Sequence, residues 1–199
     1  MSSEVARASL APPTRAVVAR RIVAAALGAL VVALSAQIVV PVPFSPVPMT
    51  LQPLAVLVVG ALLGGAAGLA ALLLYIALGI AGLPVFAAGG SGVARLLGPT
   101  GGYLLAFPVA AFITGILTTP VLGPNRSLGA AAVLRVLLAC AVGMVVIHVG
   151  GVAQLALLGG DPATAFRMGF IPFLTGDLIK VGLAAVLILV VGPKIRSLL

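Results

Sequence analysis

The sequence predicts an all-α fold, an integral membrane bundle of six transmembrane helices with both termini in the cytoplasm. Three observations predict it. Hydrophobic residues make up 62% of the 199-residue chain and charged residues only 7%, whereas a soluble domain carries roughly 25% charged residues to cover its surface. The apolar residues fall into six runs, at about 17–40, 52–66, 68–82, 102–122, 130–158 and 172–192, and a spanning helix needs roughly 20 such residues. Most basic residues stand at the ends of these runs rather than inside them.

In chain order, a cytoplasmic tail, 1–16, precedes the first run. Ala33-Leu34-Ser35 resembles a signal cleavage site, but the apolar stretch exceeds the roughly 7–15 residues of a signal core, so a retained helix is expected. The second and third runs are short and separated by Gly64-Gly65-Ala66-Ala67-Gly68. This step reads as a tight turn between two antiparallel helices, with one long bent segment as the alternative. Glycines lie within Leu, Val and Ala runs throughout, which suits close helix packing in lipid. Cys140 lies inside the fifth run and reads as a small core residue. A second cytoplasmic tail, 193–199, ends the chain after the 17–192 transmembrane domain.

Lys plus Arg number 11 and Asp plus Glu 3. The basic residues lack interleaved aromatics, so they fit orientation in a lipid bilayer and not nucleic-acid binding. With six spans, Arg7, Arg15, Arg20, Arg21, Arg126, Arg135, Lys194 and Arg196 share one side. The positive-inside rule makes that side the cytoplasm and the chain a multi-pass protein of the cell membrane.

The three outward connections, 41–51, 83–101 and 159–171, are long for a compact bundle, as functional loops often are. Pro41-Val42-Pro43-Phe44-Ser45-Pro46-Val47-Pro48 is apolar yet unable to continue a helix. It reads as a lid over a cavity between helices, the alternative being a hairpin resting at the lipid interface. Asp177 and Lys180 stand three apart at the outward end of the last run, neighbours on one helix face. Charges inside a membrane helix face a cavity or each other, so a substrate site and a self-contained ion pair both remain open. Asp161, before Pro162, reads as a helix N-cap and Arg167 as solvated. Arg95 binds an anionic group or lies on the outer surface. His148 and Gln154 lie in the fifth run; a lone intramembrane histidine suits proton relay, but no acidic partner is adjacent in sequence, so an interhelical hydrogen bond is expected. Gln52, directly after the proline-rich stretch, is a candidate ligand contact.

No G-x-x-x-x-G-K-[ST], H-E-x-x-H or G-x-S-x-G pattern occurs. Neither catalytic residues, metal ligands nor a cofactor are expected, and handling of a solute is favoured over catalysis. A membrane-embedded transferase is the alternative from a different class.

Three stretches carry a family resemblance. Pro48-Met49-Thr50-Leu51-Gln52-Pro53-Leu54, Gly82-Leu83-Pro84-Val85-Phe86-Ala87 and Gly98-Pro99-Thr100-Gly101-Gly102-Tyr103-Leu104, in this order and spacing, resemble the BioY family. Gly176-Asp177-x-x-Lys180 agrees with it. Members are biotin-binding S components of energy-coupling factor (ECF) transporters. The resemblance implies a six-helix S-component fold that holds biotin near the outer side, partnered by a transmembrane coupling protein and ATPase subunits. With biotin as the implied substrate, the expected ligand set is Asp177, Lys180, Arg95, Gly101, Gly102, Tyr103, Gln52, Thr50 and Phe86; Arg95 lies outside the three matching stretches and enters by its charge toward the carboxylate, and the two glycines permit close backbone approach. The small-residue pattern Ala24-x-x-x-Gly28 and Ala25-x-x-x-Ala29 resembles the family's contact face for the coupling protein, internal packing being the alternative. An S component for another small vitamin is the neighbouring reading.

Overall fold

The first long helix, α1, runs Arg15–Ser35 and ends where the proline-rich stretch begins. That stretch folds as a short antiparallel ladder, β1 (Val39–Val40) with β2 (Met49–Thr50), in the register Val39↔Thr50 and Val40↔Met49. Four prolines between Pro41 and Pro48 remove backbone donors, so the ladder cannot lengthen. Helix α2 (Gln52–Leu63) starts beneath this hairpin, with a proline in its first turn where a missing N–H costs nothing. In this computed structural model the described residues are 15–122 and 129–198; Arg7, Arg126 and most of the N-terminal tail lie outside them.

Helix α3 (Gly65–Ile80) follows α2 after a single residue, Gly64, at φ +86°. Only glycine adopts that conformation without strain. The chain reverses there, and Gly60 and Gly68, four residues to either side, come into backbone contact. The tight turn expected from the sequence is therefore present, narrower than the five-residue step that suggested it. A 3₁₀ turn at Ala87–Gly89 and the short helix α4 (Val93–Leu97) then lead to α5 (Gly101–Thr118). Helix α6 (Ala130–Gly159), the short α7 (Pro162–Gly169), a second 3₁₀ turn (Ile171–Phe173) and α8 (Leu174–Arg196) complete the order.

Four stretches are long and apolar enough to cross a membrane: Val17–Ser35, Gly101–Thr118, Ala130–Gly159 and Pro162–Arg196. Helices α2 and α3, with 12 and 16 residues, are shorter. At 1.5 Å per residue, α2 reaches only about 18 Å, and the hairpin directly precedes it. Apolar side chains cover the outside of the bundle, among them Ile22, Leu134, Val149, Leu178 and Val190. Such a surface suits hydrocarbon and not water.

One end of the bundle is tied by arginine. The Arg196 guanidinium donates to the Ala61 carbonyl from Nε at 3.0 Å and Nη2 at 2.8 Å, and to Thr119 Oγ1 at 3.0 Å. Carbonyls near a helix C-terminus lack intrahelical donors, and a cation there also opposes the helix dipole. Arg135 donates to Leu117 O at 2.8 Å, and Arg20 to Leu198 O at 3.3 Å. The described ends of the chain, the Gly64 turn and the end of α5 thus share one end of the molecule. The opposite end holds the hairpin and α4.

Candidate functional site

At that opposite end a cavity opens between the hairpin and helices α2, α5, α6 and α8. Counting the open solvent at its mouth, the space it outlines is about 610 Å³. Val47, Pro48, Met49 and Thr50 form its cover, and Val47 is buried. The hairpin tip does not take part: Phe44, at φ +62°, is 93% exposed. The second half of the proline-rich segment therefore lies over the cavity as a cover, and its apolar tip stands clear of it.

The lid is fastened at three points. Ser45 Oγ donates to Met168 O at 2.9 Å, linking it to α7. Gln37 accepts from Gly89 N at 3.0 Å and donates to Phe86 O at 3.4 Å, tying the segment after α1 to the 83–101 connection. Gln52, buried, donates to the Tyr75 hydroxyl at 2.7 Å while its Oε1 accepts from Thr50 at 3.2 Å. Tyr75 passes the chain on to Val85 O at 3.1 Å. Phe86 is buried beside it, its ring edge-on to Tyr75 at 5.5 Å.

Asp177 and Lys180 lie in the first two turns of α8, both buried and both lining the cavity. Lys180 Nζ donates to Asp177 Oδ1 at 2.9 Å. The second carboxylate oxygen, Oδ2, lies 2.6 Å from His148 Nε2 on α6. The other ring nitrogen, Nδ1, lies 3.2 Å from Gly169 O, which also accepts from the Tyr103 hydroxyl at 2.6 Å. Each carboxylate oxygen keeps a second acceptor position, and Lys180 keeps two further donors. Among the described residues no buried side-chain nitrogen or oxygen lacks a partner, so a ligand meets an ordered set of polar groups.

Arg95, on α4, lines the same cavity from its exposed rim and forms no ion pair among the described residues. One anion and two fixed cations thus face the space. The remaining wall is apolar or aromatic, from Tyr103, Leu104, Phe107, Ile147 and Phe173. Of the sequence candidates, Asp177, Lys180, Arg95, Tyr103, Gln52, Thr50 and Phe86 are brought together here.

Gly101 and Gly102 are not, which corrects the expectation of close backbone approach to a ligand. A side chain at Gly102 would meet the Gly150 carbonyl, and one at Gly101 the Leu96 carbonyl. Their smallness lets α5 cross α6 and lets Gln154 reach Leu96 O at 2.8 Å and Gly98 O at 2.7 Å. Gly28 and Ala29 are also corrected. They are buried inside the protein, Gly28 against Val59, Leu63 and Ala71, so no other chain can reach them. Ala24 and Ala25 are half-buried and line a groove at the arginine-tied end with Ala66, Ala67 and Ala70.

Two smaller readings concern α7. Asp161 caps it, accepting from Ala163 N at 3.1 Å, Thr164 N at 3.0 Å and the Thr164 hydroxyl. These donors, the Thr164 hydroxyl foremost, hold its carboxyl below the usual range. Arg167 is exposed. The member of the site that sequence reasoning passed over is His148. Read as an interhelical hydrogen-bonding residue, it does bond across helices, but to the site's own carboxylate 29 residues away.

Residues 5–197 match the model of the BioY family. A probable biotin transporter BioY of Pyrococcus horikoshii is 38% identical over 146 residues, 73% of this chain and 81% of that protein. The biotin transporter BioY of Rhizobium etli is 34% identical over 166 residues, covering 83% and 89%. Among solved structures, the crystal structure of the S component for biotin from an ECF-type ABC transporter superposes with a TM-score of 0.76 at 26% identity, covering 94% of each chain. With nearly its whole length matched and its buried acid–lysine pair facing a covered cavity, this chain belongs to the BioY family.

Proposed function

We propose that this chain captures biotin at the outer face of the cell membrane and delivers it inward as the substrate-binding S component of an ATP-driven ECF transporter. It is a binding and transport subunit and not an enzyme. The observation that carries the reading is the buried Asp177–Lys180 pair opening onto the covered cavity, with Arg95 at its rim.

Biotin presents a ureido group with two N–H donors and a carbonyl acceptor, an apolar bicyclic body and a terminal carboxylate. Asp177 accepts from a ureido N–H and Lys180 donates to the carbonyl. Tyr103, Phe107 and the lid residues Val47 and Pro48 cover the apolar body. Arg95 attracts the carboxylate from the open side. Gln52, Thr50 and Phe86 hold the lid and the wall in register, so their contribution is to the shape of the site.

Six spans fit this role, with α2 and α3 as the shorter two and with both termini on the cytoplasmic side. The arginines and lysine gathered at one end of the bundle support that orientation. The chain's sequence contains no phosphate-binding loop, so ATP hydrolysis falls to separate ATPase subunits, joined through a membrane coupling protein. Ala24 and Ala25, in their open groove, are the accessible part of α1's small-residue face and the proposed contact for that protein.

Purified in detergent from cells grown with biotin, the protein should retain the vitamin, and the emptied protein should bind it saturably with one-to-one stoichiometry. A well-folded preparation with no saturable biotin binding would overturn the reading.

A further inference from the structure

The backbone does not require glycine at position 90. Its φ of −67° and ψ of 155° are extended values open to any residue, unlike those of Gly89 and Gly92 nearby, at φ +68° and +84°. What position 90 lacks is room. A methyl group there would lie 2.5 Å from Arg95 Nε, 2.8 Å from Cζ and 3.0 Å from Nη2, whereas non-bonded heavy atoms in contact stand roughly 3.5–4 Å apart. All three of these nearest atoms belong to one guanidinium. The charged end of Arg95 therefore lies on the bare backbone of Gly90, which is itself buried.

Both halves of this contact are anchored. The Phe86 N–H donates to the Gly90 carbonyl at 2.9 Å, closing a tight loop, and the buried Phe86 ring packs on Gly79 of α3. Two residues on, Gly92 N donates to Gly79 O at 2.8 Å. The stem of Arg95 is held from another direction. Helix α4 has five residues, too few to be stable alone, and Gln154 of α6 ties down its far end through Leu96 O and Gly98 O.

We infer that Gly90 is a positioning residue for the anionic end of the ligand: by having no side chain it seats the Arg95 guanidinium at the cavity mouth, and through that seat it sets the preference for a carboxylate over a neutral group. Arg95 lines the cavity and forms no ion pair among the described residues. A guanidinium matches a carboxylate through two parallel N–H donors in one plane, so its orientation matters as much as its charge. At an exposed rim, an ion pair between mobile side chains gains little, because fixing a long side chain costs entropy. A guanidinium already seated on the backbone has met much of that cost before the ligand arrives.

This inference rests on biotin being the ligand. The test compares biotin with its neutral carboxamide on emptied protein in lipid nanodiscs at neutral pH, where only the acid is charged. Wild type should bind the acid more tightly. Gly90→Ala pushes the guanidinium about 1 Å off its seat. The variant should keep its thermal stability, bind biotin roughly five- to tenfold more weakly and bind the carboxamide as before. In an Arg95→Gln background the same alanine should change neither affinity, since no guanidinium is left to displace. A Gly90→Ala protein with the wild-type preference overturns the inference, as does one that loses both ligands equally. An equal loss of biotin affinity with and without Arg95 overturns it too, and so does a wild type that does not distinguish the two ligands. A Gly90→Ala protein that fails to fold means that the methyl meets more than the end of a flexible side chain, which also removes the seat. If wild type binds neither compound, the biotin reading itself is overturned and this inference falls with it.

Discussion

The Gln52 amide donates to the Tyr75 hydroxyl at 2.7 Å, and that hydroxyl donates in turn to the Val85 carbonyl at 3.1 Å. Three parts of the hairpin end of the bundle, the start of α2, the middle of α3 and the 83–101 connection, are joined by one phenol. Tyr75→Phe removes both bonds and leaves Gln52 and Val85 with unmatched polar atoms in a buried place. Stability should fall by about 1–3 kcal/mol, read as earlier thermal unfolding in detergent. Wild-type stability in this variant would mean that water takes the hydroxyl's place and that the three parts are held together otherwise.

Helix α1 carries two kinds of small residue, and substitution should separate them. Ala29 is 2% exposed and packed into the core beside Val32 and Ala71. Ala29→Leu overfills that space and should cost about 1–3 kcal/mol. Ala24 is half-buried on the open groove, so Ala24→Leu should leave stability and biotin affinity near wild type while reducing co-purification with the coupling protein. Undiminished assembly of a folded Ala24→Leu protein would remove this groove as the contact.

Membrane orientation can be read with thiol chemistry, because the native Cys140 is fully buried and silent. Phe44→Cys places a thiol at the exposed lid tip, and Ser197→Cys places one at the arginine-tied end. In intact cells a membrane-impermeant reagent should label the first and spare the second. Labelling of both, or of neither until the cells are broken, would overturn the proposed topology.

How far the sequence reached depended on the range of the interactions. The helices were legible because apolar runs and glycine or proline breaks are local signals, and the turn at Gly64 fell inside its predicted step. Asp177 and Lys180 were legible because charge inside an apolar helix is conspicuous and their spacing is fixed by the helix repeat. Gly101 and Gly102 misled because a glycine that admits a ligand and one that admits a neighbouring helix look alike in one sequence. His148 was visible but not interpretable. Its partners, Asp177 and Gly169, come from elements that only the tertiary fold brings to α6. Gly28 and Ala29 failed for a related reason: a small-residue face says that something packs closely, not whether it belongs to the same chain.

The Asp177–Lys180 pair offers the sharpest division between a ligand site and a structural ion pair. If Asp177 accepts from biotin, Asp177→Asn should fold and insert yet lose about 1.5–3 kcal/mol of binding, roughly one to two orders of magnitude in affinity. If the pair only holds α8 in place, the same change leaves Lys180 buried without its anion, and stability should fall by about 3–5 kcal/mol instead. The double variant Asp177→Asn with Lys180→Met separates the two cases. It removes the uncompensated ammonium, so a structural pair should recover much of its stability, whereas a binding site should stay defective. His148 adds a condition that the pair alone does not impose. In either variant an asparagine amide can meet Nε2 with its own oxygen or nitrogen, so the ring retains a neutral partner and does not obscure the comparison. The expected result is a stable double variant with biotin affinity still lowered at least tenfold. Wild-type affinity in that protein would take both residues out of the site and leave recognition to Arg95 and the lid.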